Sequence, residues 1–260
     1  MNVQSKAAAL KERLFSGETV LGCFLSLGSP LTSELMAQAG YDWALVDLEH
    51  GAGGEAEALQ QLQAISATPA ASVVRVESNA RQRAHRVLDM GACGVMFPRI
   101  DTPEDAAQAA AAMRYPPLGV RGVAFSNRVC EYGSNFRPYL EASSDALLTI
   151  VQIETRAAVE NVEAIASVPG VDVLFIGPSD LSHSYGILGQ FEHPDFTDAI
   201  ARTVGAAKAH GKALGILLPK PADLDHYREL GFRFIACGSD AVLLNNAARA
   251  LVASLREKLG

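Results

Sequence analysis

The residues best placed to do chemistry lie near the middle of the chain, in the run VQIET. Gln152 and Glu154 stand two apart, so in an extended strand both project to one side, while Val151 and Ile153 turn to the other. A carboxylate turned into a protein interior is costly unless a cation or a donor meets it. Asp180 ends the next apolar run, in IGPSD, and offers a second carboxylate. Two carboxylates completed by water and substrate oxygens suit Mg²⁺ or Mn²⁺. Spacing alone supports a plainer arrangement equally well, with Glu154 paired to Arg156 or Arg75 and Asp180 capping the DLSHSYG turn.

Other candidates gather at comparable places. Gly177 allows close backbone approach, and the amides beside Pro178, at Gly177 and Ser179, open a helix and can hold a carboxylate. An ordinary strand-to-helix turn would use the same four residues. His50 follows Asp47 and Glu49 at the end of WALVDLEHG, and an imidazole near its ordinary pKa is a usable base. Arg75 interrupts the apolar run VVRVE. A buried guanidinium needs an anion, either Glu77, another inward acid, or a substrate carboxylate. Ser239 and Asp240 read most simply as a helix cap. His85, His193, His210 and His226 fall in helical or helix-start patterns and read as surface residues, with His183 a spare on the same face as Asp180. Lys220, in ILLPK, is the one lysine at the end of an apolar run that a Schiff-base mechanism would use.

These positions must be set by a scaffold, and the scaffold is legible. Eight nearly continuous apolar runs begin near Val20, Trp43, Ser72, Gly94, Leu147, Val171, Lys212 and Phe232, as buried parallel strands do. Amphipathic, Ala-rich segments separate them. LTSELMAQAG ends on a glycine, and DTPEDAAQAAAAMR opens with Asp101 and Pro103. Eight strand–helix units predict an α/β fold, a single (β/α)₈ TIM barrel over residues 1–260, with a capping helix from Lys6 to Phe15 at the lower end. In such barrels the chemistry sits where the strands end, which is where the acids, Arg75 and His50 fall. One stretch breaks the rhythm: residues 114–144 form a long Gly- and Pro-containing insertion, expected to lie over the barrel mouth.

With 260 residues, 49% of them apolar, the chain suits one barrel and a sizeable core. A net charge of −7 argues against a nucleic-acid partner. The polar N-terminus and the shortness of every apolar run predict no signal peptide and no membrane span. Cys23, Cys93, Cys130 and Cys237 are widely spaced, which fits reduced thiols and a cytoplasmic protein.

The segments GYDWALVDLEHG, VVRVES, LDMGACGVMFPRIDTPEDA, RYPPLGVRG, VQIET and GVDVLFIGPSDLS resemble the HpcH/HpaI family of metal-dependent pyruvate aldolases, in order, from about Leu21 to Leu244. The resemblance implies a lyase that reversibly cleaves a 4-hydroxy-2-oxo acid to pyruvate and an aldehyde through a metal-bound enolate. It implies that Glu154 and Asp180 hold a divalent cation (Mg, Mn or Co), that Gln152 lies by the keto acid, and that Gly177, Pro178 and Ser179 hold its carboxylate. It further implies that Arg75 stabilises the enolate and that His50 moves the proton, supported by Asp89. As Asp89 closes a helix running back from the mouth, it would either reach a site across a subunit contact or serve a structural role. A hexamer or trimer of dimers is implied, with the last helix packed on a neighbour. The alternatives are an acyl-CoA lyase, which would want Arg99, Arg121 and Arg128 around the mouth, a Schiff-base aldolase on Lys220, and a non-catalytic binding barrel.

Overall fold

The computed structural model describes residues 2–259. The eight apolar runs are strands: β1 (Val20–Leu25), β2 (Trp43–Asp47), β3 (Ala71–Arg75), β4 (Gly94–Phe97), β5 (Leu148–Ile153), β6 (Val173–Ile176), β7 (Ala213–Leu218) and β8 (Phe232–Ser239). Each pairs in parallel with the next, and β8 returns to β1, closing the barrel. Helices interleave with them: α1 (Val3–Phe15), α2 (Pro30–Gln38), α3 (Glu55–Ser66), α4 (Arg81–Met90), α5 (Pro103–Ala112) and α6 (Phe136–Ala146). The second half adds α7 (Arg156–Glu160), α8 (Val162–Ser167), α9 (Pro178–Ser184), α10 (Pro194–Ala209), α11 (Leu224–Glu229) and α12 (Asp240–Leu259). The expected (β/α)₈ barrel with a preceding helix is therefore what the chain forms.

Strands covered by helices outside and by side chains inside have no solvent face, hence their continuous apolar character. The interior is filled by rings from strands that are not neighbours. Trp43 stacks on Phe234 at 4.0 Å, Phe234 meets Phe175 edge-on at 6.3 Å, and Phe175 faces Phe24 at 6.3 Å. Gly22 is required here, because a Cβ would sit 2.1 Å from the Trp43 ring. The guanidinium of Arg75 lies over the Phe24 ring at 5.2 Å, marking the level at which an apolar core gives way to a polar mouth.

The lower end is closed by α1. Its Lys6 ammonium donates to the carbonyls of Ile65, Ser66 and Ala70, Lys11 pairs with Asp172 at 2.9 Å, and Arg13 with Asp42 at 2.7 Å. These partners precede β3, β6 and β2. Ala7, Leu10 and Leu14 seal the contact on the same buried face of the helix.

Residues 114–144 are not over the mouth, contrary to expectation. Helix α5 starts at the mouth and runs back, so the link from its end to β5 begins and finishes at the lower rim. Arg114 donates to Gly170 O at 3.0 Å, Arg128 to Met90 O at 2.7 Å, and α6 packs on α1. Tyr115, Val129, Cys130 and Tyr139 give the insertion a small core of its own.

Helix α12 leaves the barrel instead of covering it. Asp240 is its one buried residue, while Val242, Leu244, Leu251, Val252 and Leu255 are at least half exposed. An apolar-walled cavity of about 760 Å³ opens between β1, β7, β8 and its first turns. No helix among the described residues is long and apolar enough to cross a membrane. All four cysteines are unpaired thiols, and Cys23, Cys93 and Cys130 are buried.

Candidate active site

Period-two geometry at the end of β5 turns Gln152 and Glu154 into the barrel mouth together. Glu154 is only 4% exposed, and both its oxygens are engaged: Oε1 accepts from the Arg99 amide at 2.8 Å and Oε2 from Gln152 Nε2 at 2.8 Å. Burial pushes its pKa up to about 7; the Arg99 amide works against the rise, while nearby Asp180 and Glu49 add to it. Two negative groups therefore face a third that burial already disfavours as an anion. Glu49, half-buried, is pushed above the ordinary carboxylate range mainly by desolvation, with Arg75 opposing. A cavity of about 540 Å³ is lined by Glu49, His50, Arg99, Glu154, Arg156 and Asp180.

The partner of Arg75 is Asp47, with Glu49 second. The register sets Asp47 beside Arg75 on adjacent strands, and the guanidinium grips Asp47 bidentately, through Nε at 2.9 Å and Nη2 at 2.6 Å. Its remaining nitrogen lies 3.1 Å from Glu49 Oε2. Glu77 takes no part, pairing with Arg83 on α4. Asp47 also accepts from the Glu49 and His50 amides, so one carboxylate fixes both Arg75 and the backbone of the loop carrying His50.

His50 stands at the rim with its side chain 66% exposed, Nε2 3.9 Å from Glu49 Oε2. Gly177 packs directly on Glu154: a Cβ there would lie 2.7 Å from Oε2 and 3.3 Å from the Glu154 Cβ. Pro178 opens α9, so the amides of Ser179 and Asp180 have no helical acceptor and face outward at the mouth. Asp89 is elsewhere. It accepts from buried Arg121 at 2.9 Å near the end of α4, and this single chain does not bring it to His50. Lys220 is an exposed rim residue 3.6 Å from Asp223. Ser239 caps α12 as the simpler reading had it, accepting from Val242 N at 3.3 Å, whereas Asp240 accepts from Ser26 N at 2.8 Å and Thr32 Oγ1 at 3.0 Å to tie the loop after β1.

Among the described residues no three His, Cys, Asp or Glu side chains are grouped as a complete metal cage. Two carboxylates nevertheless suit Mg²⁺ or Mn²⁺, which commonly take one or two protein carboxylates and leave the rest to water and substrate. Burial first, and Asp180 and Glu49 after it, disfavour Glu154 as a bare anion, and a cation held there would offset all three. The donor set fits.

Asp47 and Glu49 were singled out beside His50 at the end of β2, but their pairing with Arg75 was not legible in the sequence. Arg99 gave no signal, since its role here begins with its main-chain amide.

The family model described as HpcH/HpaI aldolase/citrate lyase matches residues 20–247, nearly the whole barrel. The chain belongs to the HpcH/HpaI family. It is a carbon–carbon lyase of the aldolase type, as the resemblance implied. A 5-keto-4-deoxy-D-glucarate aldolase of Salmonella paratyphi C is 42% identical over 230 residues, 88% of this chain and 90% of that protein. A crystal structure of an HpcH/HpaI aldolase/citrate lyase family protein from Burkholderia cenocepacia superposes with a TM-score of 0.91 at 41% identity, covering 96% of this chain and 99% of the other. An HpcH/HpaI aldolase from Desulfitobacterium hafniense gives 0.89 at 30% identity, covering 95% and 96%.

Proposed function

We propose that this HpcH/HpaI lyase cleaves a 4-hydroxy-2-oxo acid derived from a sugar diacid, between C3 and C4, releasing pyruvate and an aldehyde, with a divalent cation held by Glu154 and Asp180. The observation that carries the reading is Glu154: a carboxylate only 4% exposed that lines the same 540 Å³ cavity as Asp180, near enough for Asp180 to add to its raised pKa. The similarity to the Salmonella 5-keto-4-deoxy-D-glucarate aldolase supports the substrate class. A bound Mg²⁺, Mn²⁺ or Co²⁺ supplies Lewis acidity toward the keto-acid end.

The chain's own residues do the remaining work. Gln152 Nε2 holds Glu154 in one orientation, while its buried Oε1 has no partner among the described residues and can meet a substrate donor. Gly177 makes room beside Glu154, and the N–H donors of Gly177 and Ser179, on either side of Pro178 at the start of the helix, receive the substrate carboxylate. Arg75 keeps positive charge below the reacting carbons, and its pairing with Asp47 prevents it from swinging out. In the cleavage direction the imidazole of His50 accepts the proton of the 4-hydroxyl as the C3–C4 bond breaks and its electron pair stays with the pyruvate unit; Glu49 at 3.9 Å stabilises the resulting imidazolium, and a proton delivered to C3 completes pyruvate. Reversing these transfers protonates the new alcohol in the synthetic direction.

A homo-oligomer, hexamer or trimer of dimers, is part of the proposal. The bare apolar face of α12 supports it, and Asp89 of one protomer would then serve His50 of another. Four unpaired thiols suit a cytoplasmic setting. The acyl-CoA reading loses ground, because buried Arg121 and lower-rim Arg128 are committed to Asp89 and Met90 O, leaving Arg99 alone of the three at the mouth.

The test is pyruvate release from a panel of 4-hydroxy-2-oxo acids after chelation and re-addition of Mg²⁺, Mn²⁺ or Co²⁺. Cleavage that disappears with EDTA and returns with the ion supports the reading. No cleavage of any member with any ion refutes it.

A further inference from the structure

The mouth carries two guanidinium groups that the chain leaves unneutralised. Arg99 and Arg156 both line the 540 Å³ cavity above Glu154 and Asp180, and both are exposed. Among the described residues neither lies within 4 Å of a carboxylate, whereas Arg75, Arg83, Arg86 and Arg121 all have acid partners. What sets these two apart from the other exposed arginines is their place: both line the cavity that also holds Glu154 and Asp180.

Both are held by local structure. Arg99 sits at φ +50, a left-handed conformation that a residue with a Cβ adopts only against steric resistance. That backbone aims its amide at Glu154 Oε1, which anchors the main chain of Arg99 at the metal-binding carboxylate and leaves its side chain to extend over the cavity. Arg156 follows Glu154 by two residues, at the first position of α7, and its guanidinium lies over the Tyr185 ring at 4.6 Å. Stacking on an aromatic face fixes the plane of an arginine while leaving its edge donors free. His50 and His183 complete the same wall.

If the keto-acid end of the substrate sits at Glu154 and Asp180, the rest of the cavity must receive the aldehyde-forming end. A wall of unpaired guanidinium edges matches a planar carboxylate in charge and fork geometry, while it offers a neutral hydroxymethyl group a weaker hydrogen bond and an alkyl group none. We propose that Arg99 and Arg156 form a subsite for a carboxylate at the aldehyde end, making the enzyme selective for 4-hydroxy-2-oxo acids that carry a second acid group. The inference rests on the lyase reading above, and extends it to the residues that choose the aldehyde.

The experiment compares kcat/KM for two substrates of equal chain length, one ending in a carboxylate and one in a hydroxymethyl group. Wild type is expected to prefer the diacid by about 100-fold or more. Arg156→Ala and Arg99→Ala each lower that preference about 10- to 100-fold, mainly through KM, the size of a lost charged hydrogen bond. Arg156→Lys, which keeps the charge but not the fork, recovers part of it. Melting temperatures should match wild type, because both side chains are exposed. An unchanged preference in both alanine variants, or equal losses on both substrates, overturns the subsite. Wild type that cleaves both substrates equally overturns the subsite while the lyase reading stands. Wild type that cleaves neither overturns the lyase reading, and the subsite is then judged by calorimetry with hydroxymalonate. Affinity that falls about tenfold in Arg156→Ala supports it, and affinity that does not change overturns it.

Discussion

Replacing Glu154 by Gln should make the cation-free protein more stable, and do so only toward alkaline pH. In the folded state Glu154 has its pKa raised to about 7, chiefly by burial. An acid whose folded pKa exceeds its unfolded value favours folding least where it must be ionised. The penalty is absent below the ordinary glutamate pKa, grows as pH rises, and is complete once pH passes the folded value. The gap between an ordinary glutamate and about 7 corresponds to about 3 kcal/mol above pH 8, most of it gone by pH 5. An amide at this position has no charge to bury. Its oxygen can still accept from the Arg99 amide, and its NH₂ can meet Gln152 once that side chain turns its unpartnered Oε1 toward it. The assay is urea denaturation with EDTA at pH 5 and pH 8.5, at one fixed protomer concentration so that assembly does not shift the midpoint. E154Q should gain about 2–3 kcal/mol over wild type at pH 8.5 and less than about 1 kcal/mol at pH 5. Equal stability at both pH values, or a variant less stable at pH 8.5, would refute the reasoning.

Three further outcomes follow from the same geometry. Arg75→Met leaves buried Asp47 and half-buried Glu49 without their cation, and should cost about 3–5 kcal/mol in urea denaturation at pH 7; a loss under 1 kcal/mol would mean that the pair contributes little. Gly177→Ala puts a Cβ 2.7 Å from Glu154 Oε2, so it should lower kcat/KM at least about tenfold with the far-UV spectrum retained; full activity would show that Glu154 need not keep its place. Leu251→Asp combined with Leu255→Asp charges one exposed face of α12 and should reduce the mass found by light scattering to that of a protomer; an unchanged mass would remove α12 from the assembly contact.

Much of this was legible in the residues. Near-continuous apolar runs located all eight strands, because a strand covered on both faces cannot alternate. The two-residue spacing of Gln152 and Glu154 placed them together, because side chains on a strand repeat every second residue. The insertion at 114–144 was assigned to the wrong rim. Its length signalled a special segment, but the direction of α5 decides which end of the barrel it leaves from, and that follows from topology. Asp47 could not be chosen over Glu77 as the partner of Arg75, since the choice depends on register between β2 and β3. The positive φ of Arg99 was invisible, because nothing in an arginine side chain advertises a left-handed backbone.

Mn²⁺ titration followed by electron paramagnetic resonance, on wild type, Glu154→Ala and Asp180→Ala, bears most directly on the claim that these two carboxylates hold a catalytic cation. One ion bound per chain in wild type, with affinity reduced at least about 100-fold in each variant, is the predicted result. Equal Mn²⁺ binding by all three proteins would contradict it.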